Sequence, residues 1–441
     1  MKLSDRDNLK AAVIGKDGRT TAIRRCLEAS PRIHGLVEEL VQGKPADASS
    51  MLSEVLRNAK RVRPDLIVVG PEEPLAYGVI DELQRFGFPC VGPVRAVAEL
   101  ESSKAFTRRL LDAFQIPGNP EYRVFEKIPG IAQYLRTLRE FVIKPDGLSG
   151  GKGVMVSGEH LASVDDGVAY CEELFRKGQQ RIVIEEKLDG EEFSLQSFCD
   201  GTHVVHTVPV QDHKRAFDGD RGPNTGGMGS YSDADGLLPF LGRSDLAEAE
   251  RINELVAAAV YQQTGFAYKG VLFGGFMLTE RGIRLLEYNV RFGDPEALNV
   301  LSLLDTDFAD ICVAIVDGDL TPDLVRFKNQ ATVCKYLVPN GYPTEPAPGQ
   351  IDLSRMPSES PNLRIFHAAI RPLGNDRFDL MGSRSLAVVG LGATIPEAYR
   401  HADEAVASVS GPVFFRRDIG SGALIDRRRQ HMREVQHRVT V

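Results

Sequence analysis

Apolar runs and amphipathic stretches alternate along the first 120 residues of the chain. Three short apolar runs, each ending in glycine, have the character of buried parallel strands: LKAAVIG (9–15), PDLIVVG (64–70) and FPCVG (88–92). Three stretches between them have the apolar spacing of helices: 20–29, 49–62 and 75–87. This alternation predicts an open parallel α/β sheet with helices on both faces. Ligands bind beyond the carboxyl ends of such strands, so the loops GKDGR (15–19) and GPEEP (70–74) are candidate ligand loops.

The pattern changes after a predicted helix from Val94 to Phe114, which QIPGNPEY (115–122) ends. Short segments then alternate or run apolar in the manner of strands: 140–145, 153–156, 181–188, 192–199, 203–210, 271–279 and 283–290. Their short hairpin connections predict largely antiparallel sheets. Two long helices are predicted among them, at 162–177 and 243–263.

A third α+β unit is predicted from about Asn329 onward. Its strands are ATVCKYLVP, NLRIFHAAI and SLAVVG, with a helix near 395–408 and a proline-rich loop at 342–350. The basic segment 426–438 has helical spacing and is interpreted either as a solvated surface helix or as a partner-binding tail.

Composition and charge exclude several classes of protein. The formal net charge of −8 argues against a general nucleic-acid binder. The 6 cysteines are scattered without a CxxC pair, which suits neither a zinc site nor a disulfide scaffold. The sequence has no signal peptide and no apolar run long enough to span a membrane, so a cytoplasmic protein is expected. Glycine is abundant at 42 residues, and many glycines fall in the motifs described next.

The segment VIKPDGLSGGKGVMV (142–156) reads as a strand, a glycine-rich loop with a lysine, and a second strand. Backbone N–H groups of such a loop close over phosphates, and lysines supply positive charge. The spacing is not that of a Walker loop. A glycine-rich hairpin without a ligand is the alternative.

The segment LLEYNVRFGDPEALNVL (285–301) places Glu287 and Asn289 on one face of a strand among apolar neighbours. Two oxygen ligands that project together suit Mg²⁺, which takes one or two carboxylates plus phosphate oxygens. Arg291 extends the same face and is a candidate ligand of a transferred phosphoryl group. Asp294 is expected to be the N-cap of the following helix, with Pro295 at its first position. A cross-strand polar pair without a metal is the alternative.

Two further polar segments carry candidate ligands. IVIEEKLDGEEFSLQSF (182–198) gathers acidic residues between two strands, which can accept hydrogen bonds from an adenine amine and ribose hydroxyls. QDHKRAFDGDRGPNTGGMGSY (211–231) has almost no apolar content, and loops of that length are usually functional or disordered. Its Lys214 and Arg215 are candidate phosphate ligands, and the amides of residues 224–229 suit a small carboxylate.

Together these segments, in this order, resemble the ATP-grasp superfamily and, within it, the phosphoribosylamine–glycine ligase family (glycinamide ribonucleotide synthetases). The resemblance covers nearly the whole chain, and QDHKR with GPNTGGMG is its most specific part. It implies a Rossmann-like N-terminal domain (1–115), an ATP-grasp domain (116–325) with a lid at about 125–190, and a C-terminal α+β domain (326–441). The first loop departs from the family: it reads GKDGRTT where the family has a loop like GxGGRE.

The resemblance also implies a role for each matching residue. Lys104 and Lys144 would bind the ATP phosphates, and Gly150, Gly151, Lys152 and Gly153 would close over them. Glu185, Glu186 and Leu188 would form the adenine hinge, with Glu192 near the ribose. Glu287 and Asn289 would hold Mg²⁺ or Mn²⁺. The residues expected to face glycine and phosphoribosylamine are Gly15, Gly18, Arg19, Asp212, Lys214, Arg215, Asn224, Thr225, Gly226, Gly227, Met228 and Asp294.

The reaction implied is a two-step ligation in purine biosynthesis. Glycine and ATP would give glycyl phosphate and ADP, and the amine of 5-phosphoribosylamine would then displace phosphate to form glycinamide ribonucleotide. Positioning and charge neutralisation by lysines, Arg291 and Mg²⁺ would be sufficient without a covalent nucleophile. An ATP-grasp ligase that joins another amine and a non-catalytic ATP-binding module are the alternatives. Small-molecule substrates are expected as partners, without nucleic acid or membrane, in a monomer or homodimer.

Overall fold

The computed structural model describes residues 2–41, 45–148 and 153–438. Its strands, in chain order, are β1 (Ala11–Ile14), β2 (Glu38–Glu39), β3 (Leu66–Val69), β4 (Cys90–Val91), β5 (Tyr122–Phe125), β6 (Phe141–Pro145), β7 (Met155–Val156), β8 (Ile182–Glu186), β9 (Gly190–Asp200), β10 (Val204–His206), β11 (Gln211–Asp212), β12 (Arg215–Phe217), β13 (Arg221–Asn224), β14 (Gly229–Ser232), β15 (Lys269–Thr279), β16 (Gly282–Asn289), β17 (Ala331–Pro339), β18 (Gln350–Asp352), β19 (Leu363–His367), β20 (Ile370–Gly374), β21 (Arg377–Leu380), β22 (Leu386–Gly392) and β23 (Val413–Phe414).

The α-helices are α1 (Gly18–Glu28), α2 (Ala48–Val62), α3 (Glu72–Ala76), α4 (Val79–Arg85), α5 (Arg95–Ser102), α6 (Lys104–Ala113), α7 (Ile131–Leu138), α8 (Val164–Arg176), α9 (Arg243–Thr264), α10 (Glu296–Leu303), α11 (Phe308–Asp317), α12 (Ile395–Ala407) and α13 (Gly422–His437). Short 3₁₀ turns occur at Leu3–Asp5 and Pro322–Leu324. None of the helices described is long and apolar enough to cross a membrane.

The first sheet is parallel and has the order β2-β1-β3-β4. Every residue of β1 and β3 is buried, as expected for strands covered on both faces. The three predicted strands are confirmed, whereas β2 consists of two polar residues and gave no apolar signal. The helix expected over 75–87 is two short helices, α3 and α4, because Gly78 adopts a left-handed conformation (φ 84°) between them.

The long helix expected from Val94 to Phe114 is also two helices, and the prediction of one was wrong. Ser103 lies between α5 and α6 in an extended conformation (φ −140°, ψ 107°). Its hydroxyl accepts a hydrogen bond from the Phe106 amide at 3.1 Å, which makes it the N-cap of α6. Lys104 is therefore the first residue of a helix rather than a mid-helix residue.

Two antiparallel sheets follow, as predicted. The order β5-β8-β6-β7 forms the smaller one, which packs with α7 and α8 around its own apolar core, including Leu135, Phe141, Ile143 and Ile184. The order β10-β9-β15-β16 forms the larger one, against which α9 packs. The strand expected at 203–210 is shorter than predicted, because β10 spans only Val204–His206.

The C-terminal sheet has the order β11-β14-β17-β22-β19, with β23 paired to β17. It is antiparallel and takes β11 and β14 from the polar segment 211–231, so this segment is anchored in the sheet rather than disordered. Gly229 has a φ of 152°, and an added Cβ would lie 2.3 Å from the Cys334 carbonyl, so the close approach of β14 to β17 requires glycine. Smaller β12–β13 and β18-β21-β20 sheets complete this region.

The basic segment at the C-terminus belongs to α13, which is packed onto the molecule. Leu424, Ile425, Met432 and Val435 of this helix are buried. The segment is therefore a surface helix whose apolar face is buried, and the alternative of a partner-binding tail stays a prediction.

Candidate active site

One cleft of about 1210 Å³, partly open to solvent, collects most of the motifs. Its walls come from α1, α3, the α5–α6 junction, the loop after β6, the segment 211–231, β16 and the start of α10. The predicted site residues that line it are Arg19, Lys104, Asp212, Lys214, Thr225, Gly226, Glu287, Asn289, Arg291 and Asp294. Residues separated by up to 275 positions in sequence thus meet at one site.

β16 presents the expected metal pair, because alternate residues of a strand point to the same side. Glu287 and Asn289 both line the cleft. Burial alone would raise the pKa of Glu287, but the positive charges of Lys214, Lys144 and Lys104 lower it, so the carboxylate is ionised. The described residues contain no group of three or more His, Cys, Asp or Glu side chains arranged to hold a metal. A pair of oxygen donors fits a cation that takes its remaining ligands from phosphate oxygens and water.

A buried ion triad lies behind this wall. The Glu185 carboxylate accepts hydrogen bonds from the Arg108 guanidinium at 2.6 and 3.0 Å and pairs with Lys144 Nζ at 2.7 Å. Burial would raise the pKa of Glu185, but Arg108 and Lys144 lower it to about 2. The Glu185 carboxylate is thus paired with these two cations, and the place of Glu185 in an adenine hinge stays a prediction.

Lys144 and Lys104 are both held by backbone carbonyls near the cleft. Lys144 Nζ donates to the Leu286 carbonyl at 3.1 Å, and Lys104 Nζ donates to the Gly147 carbonyl at 2.9 Å. Lys104 lines the cleft together with Gly147 and Leu148, which come just before the glycine-rich loop. Gly150, Gly151 and Lys152, to which a phosphate-covering role is assigned, lie outside the described residues, and Gly153 follows them.

The other hinge residues lie at the edge of the site. Glu186 accepts hydrogen bonds from the Glu121 amide at 2.9 Å and from Arg281 at 2.5 Å, so its carboxylate is directed away from the cleft. Leu188 is half-buried in the connection to β9. Glu192 pairs with Lys214 across 3.4 Å, which joins the hinge to the segment 211–231.

Arg291 is neutralised by the protein itself. Its guanidinium lies 3.1 Å from Glu72 and 2.8 Å from Glu101, and it donates to Asn289 Oδ1 at 3.0 Å. Burial would raise the pKa of Glu72, but Arg291 and Arg19 lower it to about 2. Arg291 lines the cleft as expected, but it also orients the Asn289 amide. Glu72 and Glu101 were not anticipated as its partners.

The segment 211–231 folds as a β12–β13 hairpin that brings only some of its residues to the cleft. Thr225 donates through its amide and hydroxyl to the Lys214 carbonyl, at 2.7 and 2.8 Å, which fixes the position of both residues. The Arg215 guanidinium instead donates to the Gly222 carbonyl at 2.8 Å and pairs with Glu159. It is not among the described residues that line the cleft, so the phosphate-binding and substrate-facing roles expected of Arg215 stay predictions.

Three more residues of this segment, Asn224, Gly227 and Met228, are not among the residues that line the cleft. Asn224 is exposed and opposite Arg215 in the hairpin, and Met228 is fully buried in the core. Gly227 has a φ of 109°, and a Cβ there would lie 2.6 Å from Pro295. Asn224 and Met228 therefore bring no side chain to the cleft, and the role of the amides of residues 224–229 stays a prediction.

The first loop, GKDGRTT, folds as the N-terminus of α1. Asp17 is its N-cap and accepts hydrogen bonds from the Thr20 amide at 2.9 Å and the Thr20 hydroxyl at 2.7 Å. Arg19 lines the cleft but donates to Asp17 at 2.7 Å and to the Phe292 carbonyl at 2.8 Å. Gly15 and Gly18 do not line it, but a Cβ on Gly18 would lie 2.0 Å from the Tyr336 hydroxyl. Lys16 pairs with Glu39 at 3.7 Å.

Asp294 is not an N-cap, because α10 begins at Glu296 with Pro295 as its N-cap. The buried Asp294 carboxylate instead accepts a hydrogen bond from Tyr336 at 2.6 Å and pairs with Arg384 at 3.3 Å. Arg384 also donates to the backbone carbonyls of Gly226 at 2.7 Å and Asp294 at 2.6 Å.

Arg384 comes from the C-terminal region and was not anticipated. Its guanidinium lies 4.7 Å from the centre of the Tyr336 ring, a cation–π distance. It lines the cleft and holds the NTGG backbone against the start of α10. No sequence signal within SRSLAVVG distinguishes this arginine from a surface residue.

The cleft also contains Glu296, which was not predicted. It is buried, and burial together with the nearby Asp212 raises the pKa of Glu296 to about 8. Burial likewise raises the pKa of Asp212. These two carboxyl groups share the cleft with four other acidic residues, Glu72, Glu101, Glu287 and Asp294, and with its lysines and arginines.

Three family models match the chain in succession. They are the phosphoribosylglycinamide synthetase N domain at residues 9–101, its ATP-grasp (A) domain at 102–297 and its C domain at 332–422. Among curated proteins, phosphoribosylamine–glycine ligases from Methanobrevibacter smithii and Methanocella arvoryzae are each 41% identical. The matches cover 97% and 96% of this chain, and 100% and 99% of those proteins.

Solved structures agree with this assignment. The crystal structure of phosphoribosylamine–glycine ligase from Thermotoga maritima superposes with a TM-score of 0.76 at 28% identity, covering 93% of this chain and 100% of that one. A biotin carboxylase domain from Hydrogenobacter thermophilus superposes with a TM-score of 0.71 at 13% identity, covering 98% of this chain and 99% of that one. The second likeness concerns the fold alone.

Proposed function

The chain belongs to the phosphoribosylglycinamide synthetase family, and from this premise we propose how its cleft performs the family's reaction. The chain is an ATP-dependent ligase that joins glycine to phosphoribosylamine, a step of purine biosynthesis. The proposal concerns the intermediate, the residue roles and the metal.

In the proposed first step, a carboxylate oxygen of glycine attacks the γ-phosphorus of ATP. The bond between the γ-phosphorus and the bridging oxygen breaks, which gives glycyl phosphate and ADP. In the second step, the amine nitrogen of phosphoribosylamine attacks the glycyl carbonyl carbon. The carbon–oxygen bond to phosphate breaks, phosphate leaves with the electron pair, and the nitrogen loses a proton.

One observation carries this proposal: Glu287 lines the same cleft as Lys104 and Lys214, and these lysines together with Lys144 keep its carboxylate ionised. Negative charge collects on the phosphoryl group during transfer, and fixed cations around it stabilise the transition state. Lys104 and Lys214 line the cleft where these charges would lie, and Lys144 lies behind them. Arg291, whose charge is balanced by Glu72 and Glu101, holds the Asn289 side chain in place.

Glu287 and Asn289 would hold a divalent cation, Mg²⁺ or Mn²⁺, when ATP is bound. Such an ion neutralises phosphate charge and orients the phosphate chain. The donor set is suited to this role because it offers one carboxylate and one amide oxygen and leaves the other positions to phosphate and water.

The remaining roles follow from position. The hinge would bind adenine through the backbone of residues 185–188, because the Glu185 and Glu186 carboxylates are occupied. The loop that contains Gly150, Gly151, Lys152 and Gly153 would cover the phosphates. Thr225 and Gly226, with Asp294 and Arg19 beside them, would face glycine and the amine substrate. Glu296, whose pKa is about 8, is suited to accept the proton that the amine loses.

The metal role is tested with Glu287→Gln, which removes one negative oxygen ligand and keeps the shape. We expect ADP formation with glycine and phosphoribosylamine to fall at least about 10²-fold, because each phosphoryl-transfer ligand acts mainly in the transition state. Unfolding by heat should be almost unchanged. Glu280→Gln, in the exposed turn between β15 and β16, is the matched control and should keep full activity. Near-normal turnover of Glu287→Gln would refute the metal assignment.

A further inference from the structure

The basic C-terminal helix α13 is joined by ion pairs to the segment that follows the hinge strand β8. Arg428 lies 3.3 Å from Glu191, and His431 lies 2.8 Å from Glu191 and 3.2 Å from Asp189. Arg438 lies 2.6 Å from Asp189. The helix thus contacts the acidic residues 189 and 191, which stand directly between the hinge and Glu192.

Glu191 is the centre of this arrangement. Its side chain is only 3% exposed, although α13 is at the surface of the molecule. It also accepts a hydrogen bond from the Gln211 side chain at 3.2 Å. A buried carboxylate needs such partners, because an uncompensated buried charge is strongly unfavourable.

The contacts continue from Glu191 into the cleft. The side-chain amide nitrogen of Gln211 donates to the backbone carbonyl of Glu192 at 3.0 Å. The Tyr231 hydroxyl donates to the side-chain oxygen of Gln211 at 2.5 Å. The Glu192 carboxylate in turn pairs with Lys214, which lines the cleft. Side chains of α13 are therefore linked to Lys214 in the cleft through Glu191, Gln211 and Glu192, and the last of these contributes both its backbone carbonyl and its carboxylate.

The same helix is also tied to the hairpin β12–β13 of the segment 211–231. Asp220, in the turn of this hairpin, accepts hydrogen bonds from Arg428 at 2.7 Å and from Arg427 at 3.0 Å. Arg428 therefore bridges two segments, one that contains the hinge and one that contains Asp212 and Lys214.

We propose that Arg428 and His431 are positioning residues for the nucleotide: they hold the segment 187–192 in the place where the hinge and Glu192 bind adenosine. The inference rests on the proposed function in one respect, the assignment of the hinge to ATP. Neither residue touches the substrate, and neither takes part in the chemistry. Their role explains why a strongly basic helix occurs at the end of an acidic chain.

The helix acts on binding rather than on the chemical step, because the hinge lies at the adenosine end of the nucleotide and Glu287 at the phosphate end. If the affinity for adenosine falls by the same amount in the ground state and in the transition state, KM rises and kcat is unchanged. Each acid keeps another partner when one cation is removed: Glu191 keeps Gln211, and Asp220 keeps Arg416 at 2.9 Å. Single variants are therefore expected to fold.

The test uses the full-length protein with the variants Arg428→Gln and His431→Gln. We expect KM for ATP to rise about tenfold in both variants, within the range measured for lost supporting contacts. In His431→Gln, kcat should stay within about twofold of wild type, because the ion-pair partners of His431, Asp189 and Glu191, belong to the segment 187–192. KM for glycine should stay unchanged. Arg433→Gln is the matched control, because Arg433 is exposed on the same helix. Asp189→Asn, at a half-exposed residue, breaks the same link from the other side and should raise KM for ATP about threefold.

The affinity for ADP, measured by calorimetry on the same proteins, should weaken in parallel with KM. An unchanged KM for ATP and an unchanged ADP affinity in folded Asp189→Asn and His431→Gln would overturn the inference, as would an equal loss in kcat. If the wild type instead forms no ADP with glycine and phosphoribosylamine, the proposed function fails, whereas the ADP titrations still test the role of the helix.

Discussion

Glu185 shows how one residue sets the electrostatics behind the cleft. Its carboxylate is buried between Arg108 and Lys144, both of them cations that would otherwise be buried without a counter-charge. The ion triad keeps Lys144 pointed at the Leu286 carbonyl, next to the strand that carries Glu287. A single carboxylate therefore fixes the position of Lys144, the lysine proposed to bind phosphate.

The first prediction concerns stability and pH. Because the pKa of Glu185 is lowered from 4.5 to about 2 in the folded protein, its ionised form stabilises the fold at pH values above its unfolded pKa. That contribution is lost as the pH falls through the folded pKa. Glu185→Gln should lower the free energy of unfolding at pH 7 by about 3–5 kcal/mol, because Arg108 and Lys144 lose their partner. Urea unfolding measures this.

The difference between wild type and Glu185→Gln should shrink between pH 4.5 and pH 2, where the wild-type carboxylate becomes protonated. Glu140→Gln is the control, because Glu140 is 69% exposed and pairs with Lys187 at the surface. It should change the unfolding free energy by less than about 1 kcal/mol. A pH-independent difference for Glu185→Gln would contradict this account of the triad.

At the same scale, sequence reasoning identified residues better than it identified their partners. Glu287, Asn289, Lys104 and Lys214 were found because period-two spacing or loop composition set them apart, and all four line the cleft. Arg108 and Arg384 were missed, since their ion-pair partners, Glu185 and Asp294, are 77 and 90 positions away along the chain. Such pairing depends on the packing of separate elements and leaves no local pattern.

Among the elements, the segment 211–231 depends most on the rest of the molecule. Its composition indicated a loop, and its order comes from β11 and β14, which extend the C-terminal sheet, and from Arg384. The turn that Arg384 holds contains Gly226 and Gly227. Its shape therefore depends on a residue from a different predicted domain.

The second prediction is that Arg384→Met weakens this element. Removing the guanidinium takes the Arg384 donor away from the Gly226 and Asp294 carbonyls and takes the cation away from the Asp294 carboxylate, which keeps the Tyr336 hydroxyl. We expect kcat/KM for glycine to fall about 10²-fold, since small misplacements of positioning groups cost that much. Steady-state kinetics measure it, with Arg371→Met as the control, because Arg371 is 65% exposed and pairs with Asp379. Unchanged kcat/KM in folded Arg384→Met would contradict this prediction, because the turn would then keep its conformation without Arg384.

Helix and strand assignments were most accurate where apolar periodicity was strong, as in β1, β3 and α9. They were wrong where the conformation of a single residue divides one predicted helix into two, as at Gly78 and Ser103. Both positions interrupt an apolar pattern that continues across them. The break at Ser103 has a consequence for function, because it places Lys104 at a helix start beside Gly147.

For the whole molecule, the three family models follow one another along the chain, and the cleft is built from parts of all three matched ranges. Arg19 and Glu72 come from the first range, Lys104 and Glu287 from the second, and Arg384 from the third. The exact domain bounds of 1–115, 116–325 and 326–441 stay a prediction. A site shared by three regions explains why motifs spread over the chain identified the family.

The central claim is that the carboxylate of glycine is phosphorylated in this cleft before the amine attacks. The most direct measurement supplies glycine labelled with oxygen-18 in its carboxylate, together with ATP and phosphoribosylamine, and analyses the product phosphate by ³¹P NMR. The account predicts that each phosphate released carries one oxygen from glycine, because that oxygen bridges carbon and phosphorus in glycyl phosphate. Ligation that releases phosphate without the label would contradict it.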